Sequence, residues 1–161
     1  LIKSVYLNNI VYYIAGIASV IFVLSYFFPP LFKMAGLLLV LLGVAVAIDA
    51  LLVYSKKEGV EVKRCVTERF SIGDENNVLI AIKSAYAFAV KVSVIDELPV
   101  QFQERNWLRK TKIESGQVQD INYTLRPVTR GEYTFNDINV YVHAPLQLVK
   151  RRFVFPARQM V

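Results

Sequence analysis

The sequence predicts a membrane-anchored all-β protein: an N-terminal two-helix transmembrane hairpin over 1–58, then an immunoglobulin-like β-sandwich over 59–161. Three observations carry this. Two long apolar runs fill the first third of the 161 residues. Period-two alternation fills the rest. The charge is equally lopsided, because residues 1–54 hold only Lys3, Lys33 and Asp49. That leaves seventeen basic against twelve acidic residues, a net +5, on the remainder. A hydrophobic content of 55% and a mean hydropathy of +0.39 exclude a disordered chain. One Cys excludes an internal disulfide framework, and one His with one Cys excludes an ordinary zinc site. The chain opens on Leu1 rather than Met and closes abruptly at Val161, so the expectation is of a start and an end lying outside it.

The first run, Ile10 to Phe28, is nineteen residues without a charge. At ~1.5 Å per residue it just crosses a hydrocarbon core of ~30 Å. Pro29-Pro30 stops it, and a second run from Leu31 to Tyr54 is also long enough. Two spans joined by two prolines predict an antiparallel hairpin, since backbone groups in lipid must be satisfied internally. A cleaved signal peptide is rejected, because the apolar run is too long and a second follows at once. Lys3 precedes the first span, and Lys56, Lys57, Lys63 and Arg64 follow the second. The positive-inside rule places both ends in the cytoplasm, with Lys33 snorkelling at the turn. Tyr12, Tyr13, Tyr26 and Tyr54 sit where aromatic belts are expected.

Asp49 is the one acid within a span. An intramembrane acid marks an ion or proton path by default. The plainer alternative is a near-interface acid bonded within the hairpin, with Tyr12 and Tyr13 at matching depth, or reaching water. Gly43 and Ala47 form a small-xxx-small pair, opposite Gly16 and Ala18-Ser19, suited to close helix approach or to a homo-oligomer.

Beyond Gly59 the alternation reads as about seven strands: Val60 to Val66, Val78 to Ile82, Phe88 to Val94, Ile121 to Leu125, Tyr133 to Phe135, Ile138 to Val142, and Phe153 to Phe155. Turn chemistry separates them at Gly73-Asp74 with Asn76-Asn77, Glu97 to Pro99, Ser115-Gly116, Arg130-Gly131, Asn136-Asp137 and Ala144-Pro145.

Phosphate loops, dinucleotide fingerprints and nucleophile elbows are missing. His143 reads as structural, and Cys65 as a plain surface or partly covered thiol. Asp96-Glu97 reads as a turn, since neighbours on a strand point to opposite faces and cannot share a proton. Two basic clusters stand out: Lys150, Arg151, Arg152 and Arg158, and a second of Arg105, Arg109, Lys110 and Lys112 around Trp107. Each such charge near an anionic bilayer contributes ~1 kcal/mol. One aromatic is a poor platform for nucleic acid, so a solvated loop beside lipid or an acidic protein is the better reading. Catalytic, cofactor and metal residues are therefore not assigned.

Ser71-Ile72-Gly73-Asp74, Asp96-Glu97-Leu98-Pro99, Tyr123-Thr124-Leu125-Arg126-Pro127, Arg130-Gly131-Glu132-Tyr133, Ala144-Pro145-Leu146 and Val154-Phe155-Pro156 follow one another in order. With the two leading spans, this chain resembles a bacterial family catalogued as domain of unknown function 58. The resemblance implies a cytoplasm-facing membrane protein whose sandwich precedes a von Willebrand factor A-like domain, expected to begin about where this chain ends. It also implies work beside a MoxR-type AAA+ ATPase in protein assembly or maturation. The metal-site loop of such A domains, DxSxS, does not occur here, so no metal residue is carried over. Members often show Asp-Pro-x-Gly-Leu, where this chain has Ala144-Pro145-Leu146-Gln147-Leu148 and lacks the Asp and Gly of a conventional turn. Within the RG-x-Y stretch, Gly131 is free to take positive φ, Tyr133 to point inward, and Arg130 to bond carbonyls or a neighbouring acid.

The functional expectation is a non-enzymatic scaffold or adaptor of the bacterial inner membrane, multi-pass, binding lipid and protein but not nucleic acid. The alternative is a structural subunit of a membrane transport or secretion complex that uses the hairpin as its interacting element. Asp49, Gly43, Ala47, Trp107, Arg130, Gly131 and Tyr133 are the candidate interaction residues.

Overall fold

The computed structural model describes residues 5–104 and 107–161, and Lys3 and Arg105 lie outside the described residues. The chain divides into two compact units, Leu1–Ser55 with His143–Arg151, and Lys56–Val142 with Arg152–Val161. Thus the stretch 143–151 joins the helices, which nothing in its sequence announces.

In the helical unit, strand β1 (Val5–Leu7) pairs antiparallel with the start of β9 (Val149–Phe155), Tyr6 opposite Lys150. Helix α1 (Asn9–Leu24) is capped by Asn8, whose extended backbone lets its side chain accept from the Asn9 N–H. It ends four residues before the expected Phe28. There the Ser25 hydroxyl donates to the Phe22 carbonyl at 2.6 Å, and Tyr26 and Phe27 close tighter three-residue turns. At 16 residues, about 24 Å, α1 is shorter than a bilayer core. Helix α2 (Pro30–Tyr54) starts with proline at its first position, where the missing N–H costs no bond. Among the described residues it is the one helix long and apolar enough to cross a membrane, with a mean hydropathy of 2.7. The helices touch with Phe22 edge-on to Phe32 at 5.5 Å, and Ala18 and Ala35 are fully buried. Large side chains such as Val20, Val23, Leu37, Val40 and Leu51 stay exposed.

The other unit is mostly β-sheet. Strands β2 (Val60–Val66), β3 (Asn76–Ser84) and β6 (Val118–Leu125) form one sheet in the order β2-β3-β6. The second runs β9-β8-β4-β5, using β4 (Val90–Asp96), β5 (Arg109–Ile113) and β8 (Ile138–His143). The short strands β7 (Thr134–Phe135) and β10 (Gln159–Met160) pair with each other. Alternation explains the core. Val78, Ile80 and Ile82 from one sheet meet Val90, Val92, Val94, Ile138, Val140 and Val142 from the other, all buried.

Arg64 occupies an inward position of β2, between Val62 and Val66. Its side chain and that of Asp96 are buried and form an ion pair. Its remaining donors reach the Ala157 and Asn136 carbonyls at 2.7 and 3.0 Å, and the guanidinium lies 4.8 Å from the Phe135 ring centroid. Tyr123 donates to the same carboxylate at 2.5 Å. Asp96 is therefore the inward end of β4, not a turn residue, whereas Glu97 points away and accepts from Asn139. Asn76 and Asn77 likewise open β3 instead of a turn. Buried Asn76 accepts from the Ser71 N–H and donates to the Ser71 and Asp74 carbonyls, closing the preceding loop.

Burial first, then the Asp96 carboxylate, push the Tyr123 phenol far above its ordinary range. A raised folded-state pKa gives stability that is complete below the unfolded value and lost as pH climbs above it. Alkaline destabilisation should therefore set in above about pH 10. Tyr123→Phe should flatten that slope in urea midpoints measured from pH 9 to 11, and an unchanged slope would exclude the phenol as its source.

Gly59 enters the β unit against Tyr86, and a Cβ there would overlap the Tyr86 ring and its oxygen. Tyr86 is itself fully buried and held by Ser84 and Ser115. Gly59→Ala should lower stability by roughly 1–3 kcal/mol, as overpacking does. A denaturation midpoint equal to wild type would show that Tyr86 swings clear.

Candidate functional site

Asp49 lies in α2 with no exposed surface, and its carboxylate accepts from two backbone N–H groups, Leu146 at 3.0 Å and Leu148 at 2.9 Å. These belong to a tight turn closed by the Ala144 N–H on the Val149 carbonyl, in which Gln147 takes a left-handed φ of 59°. The turn also accepts from the other helix: the Asn8 N–H reaches the Leu148 carbonyl at 2.8 Å, and the Asn8 amide reaches the Gln147 carbonyl at 2.7 Å. Arg151 donates to the Val53 carbonyl at the end of α2, where a cation suits the exposed carbonyls, and covers the Tyr54 ring at 4.5 Å. Val53, Ala144, Leu148 and Val149 pack beneath. One turn thus clasps the start of α1 and the end of α2.

This arrangement corrects the expected partners of Asp49. Tyr12 and Tyr13 are 63% and 70% exposed and do not reach it. The carboxylate instead satisfies amide donors 97 and 99 residues away along the chain. A buried carboxylate engaged by two N–H groups is an anchor, and it holds the shape of a turn that contains no Gly. Gly43 and Ala47 are exposed, with nothing near a Cβ at Gly43, so they do not make the contact between α1 and α2.

In the β unit, three motifs converge. Ile72 of the Ser-Ile-Gly-Asp stretch, Pro127 and the Arg130-Gly131-x-Tyr133 turn line one cavity of about 250 Å³, together with Arg69 and Phe70. Gly73 sits at φ 82°. Its N–H bonds the Pro127 carbonyl at 2.9 Å, and its carbonyl accepts from Arg126 at 2.5 Å, which locks two of the motifs together. Gly131, at φ 150°, gives the bend that a side chain rarely tolerates. Tyr133 is buried, as its sequence position suggested. Its hydroxyl donates to the Thr129 carbonyl at 2.7 Å, and its backbone exchanges two bonds with Val161. Phe70 touches Phe102, Tyr133 and Phe135, so the cavity floor is aromatic and fixed. Arg130 was expected to bond carbonyls or an acid. Its side chain has no such partner among the described residues, and neither does that of Arg69.

Trp107 is not a surface residue. It is buried, 4.6 Å from Tyr123 between ring centroids, with the Arg109 guanidinium 5.7 Å from its ring centroid. The residues following it, expected as a solvated loop, form β5, paired with β4 through Lys112 opposite Lys91 and Lys110 opposite Ser93. In the other basic cluster, Arg152 is committed to Asn139. Cys65 is exposed and His143 half-buried at the end of β8. Among the described residues no group of His, Cys, Asp and Glu could hold a metal.

No protein-family model matches the chain, and no curated protein does. Among solved structures it is similar to the ASH/PapD-like domain 7 of human CEP192, at 17% identity and a TM-score of 0.43, covering 62% of this chain and 82% of that one. It is also similar to a CARDB domain of Pyrococcus furiosus crystallised in complex with di-metal ions, at 12% identity and a TM-score of 0.38, covering 61% of this chain and 86% of that one. The likeness in both cases is one of fold.

Proposed function

We propose that this chain is a membrane-anchored interaction module: a scaffold or adaptor whose immunoglobulin-like β-sandwich is displayed at the cytoplasmic face of a bacterial inner membrane. The observation that carries this reading is a single chain joining two kinds of surface. One is apolar helical surface that only lipid or another apolar helix would cover. The other is a preformed concave site flanked by two arginines without side-chain partners among the described residues. In this reading α1 and α2 form a two-span hairpin, with the stretch 25–29 at the far interface. The basic residues Lys56, Lys57 and Lys63 support the cytoplasmic orientation. Its partner is a MoxR-type AAA+ ATPase, as the sequence resemblance implies, and a following A-like domain would be presented with it.

The test is affinity purification of the tagged full-length protein from native membranes in mild detergent, followed by mass spectrometry. Recovery of an AAA+ ATPase that depends on the β unit is the expected result. A reporter fused after Val161 that is active only outside the cytoplasm would overturn the orientation and the partner with it. The open face at Gly43 and Ala47 favours a second reading, a subunit of a membrane complex. Integral membrane partners retained by the helices alone would decide for it.

A further inference from the structure

The cavity between Ile72, Pro127 and the Arg130 turn holds a combination of groups that defines its occupant more narrowly than "a partner protein". Its floor is apolar and rigid: Phe70 is braced by three other rings, and the Tyr133 hydroxyl is already used by Thr129. Its charged groups are the two guanidiniums of Arg69 and Arg130, both exposed and without a side-chain partner among the described residues. Glu68 and Glu132 lie nearby in sequence, yet neither pairs with them. At about 250 Å³ the cavity is smaller than the roughly 300–1,000 Å³ of pockets for drug-sized ligands. It suits one or two side chains.

We infer that this cavity docks a short acidic segment of a protein partner, one apolar side chain entering over Phe70 and Tyr133 while flanking carboxylates pair with Arg69 and Arg130. Guanidinium groups favour carboxylates because two parallel N–H bonds match the two oxygens. An anionic membrane surface fits less well. Lipid-binding patches gather about 4–8 basic residues on an accessible face, whereas here two arginines flank a hollow that a flat headgroup layer would leave unfilled. The inference rests on the reading of the β unit as an interaction module and names the chemistry of its partner.

The experiment uses the full chain in nanodiscs of zwitterionic lipid and a panel of fluorescein-labelled peptides. Each peptide carries a central Leu or Phe between Asp and Glu residues. One control replaces the central residue with Ser, and another replaces the acids with Asn and Gln. Anisotropy should show saturable binding of the acidic-apolar peptides. Binding should be roughly tenfold or more weaker for both controls and for the Arg69→Ala/Arg130→Ala protein, as expected for lost charge-assisted bonds. Both substitutions are on the surface, and unchanged Trp107 emission verifies the fold. Absence of saturable binding up to millimolar peptide, or equal binding by the double variant, overturns the inference. So does displacement of the peptide by phosphatidylglycerol vesicles, which would reassign the site to lipid. The same double variant carried through the purification separates the two claims. A partner ATPase retained by a variant whose wild-type parent binds no peptide sinks only the docking site. Peptide binding without any co-purified protein sinks the scaffold reading instead.

Discussion

Asp96→Ala should destabilise the β unit by about 3–5 kcal/mol, the cost of leaving one member of a buried ion pair without its partner. Arg64 is the member left behind. Its side chain is buried and cationic, and the two carbonyls it also reaches do not neutralise its charge. Tyr123 loses its acceptor in the same substitution. Trp107 packs on Tyr123 and is the only tryptophan, so its emission reads the event directly. Urea titration followed at Trp107 is the measurement. A cost below about 1 kcal/mol would mean that Arg64 escapes to water. Replacing both members with leucine should cost less than replacing Asp96 alone, because a buried pair repays little more than its own desolvation.

Asp49→Ala should destabilise the helical unit. The buried Leu148 N–H would lose its acceptor, while the part-buried Leu146 N–H, beside an exposed side chain, can turn to water. One unsatisfied buried donor costs about 1–3 kcal/mol. Asn at this position offers one oxygen and opposes the second N–H with an NH₂, so Asp49→Asn should fall between alanine and wild type. Hydrogen exchange resolved at 144–149 should accelerate in both variants, while a Tyr12→Phe/Tyr13→Phe variant should exchange like wild type. Unchanged exchange in Asp49→Ala would dispose of the clasp. Retained exchange protection with impaired ion movement would bring back the conduction path that an acid in a helix suggests by default.

How far these features were legible beforehand depends on whether they are local. β4 and β8 were readable because Val and Ile alternate with polar residues over five positions, and β3 because Val78, Ile80 and Ile82 recur at every second position, as one buried face demands. β5 was not, because Arg-Lys-Thr-Lys-Ile has a single apolar residue and lies at a sheet edge, where charge is how strands avoid unwanted pairing. β1 has three residues, too few for any period. Arg64 was visible as an interruption among inward valines, yet its partner Asp96 is 32 residues away and adjoins Glu97, so the two acids read as a turn. For the cavity, the motifs were legible one by one as turn chemistry. Their convergence depends on the bond from Gly73 to Pro127, which only the fold supplies. Trp107 misled because flanking charges suggested a surface, whereas its indole packs on Tyr123 of another strand, a contact only the fold supplies.

The clasp also sets a ruler on α2. A non-helical turn cannot face hydrocarbon, so the segment free to face lipid in a spanning α2 ends at Ile48, before the residue that holds the turn. Pro30 to Ile48 is nineteen residues, about 28 Å of helix. That length matches a bilayer slightly thinner than average. In a thicker one, α2 cannot draw on its last turn to make up the difference, because Asp49 holds that turn at the boundary. If α2 spans, the bilayer would have to thin around the helix, and hydrophobic mismatch would be a cost borne by lipid.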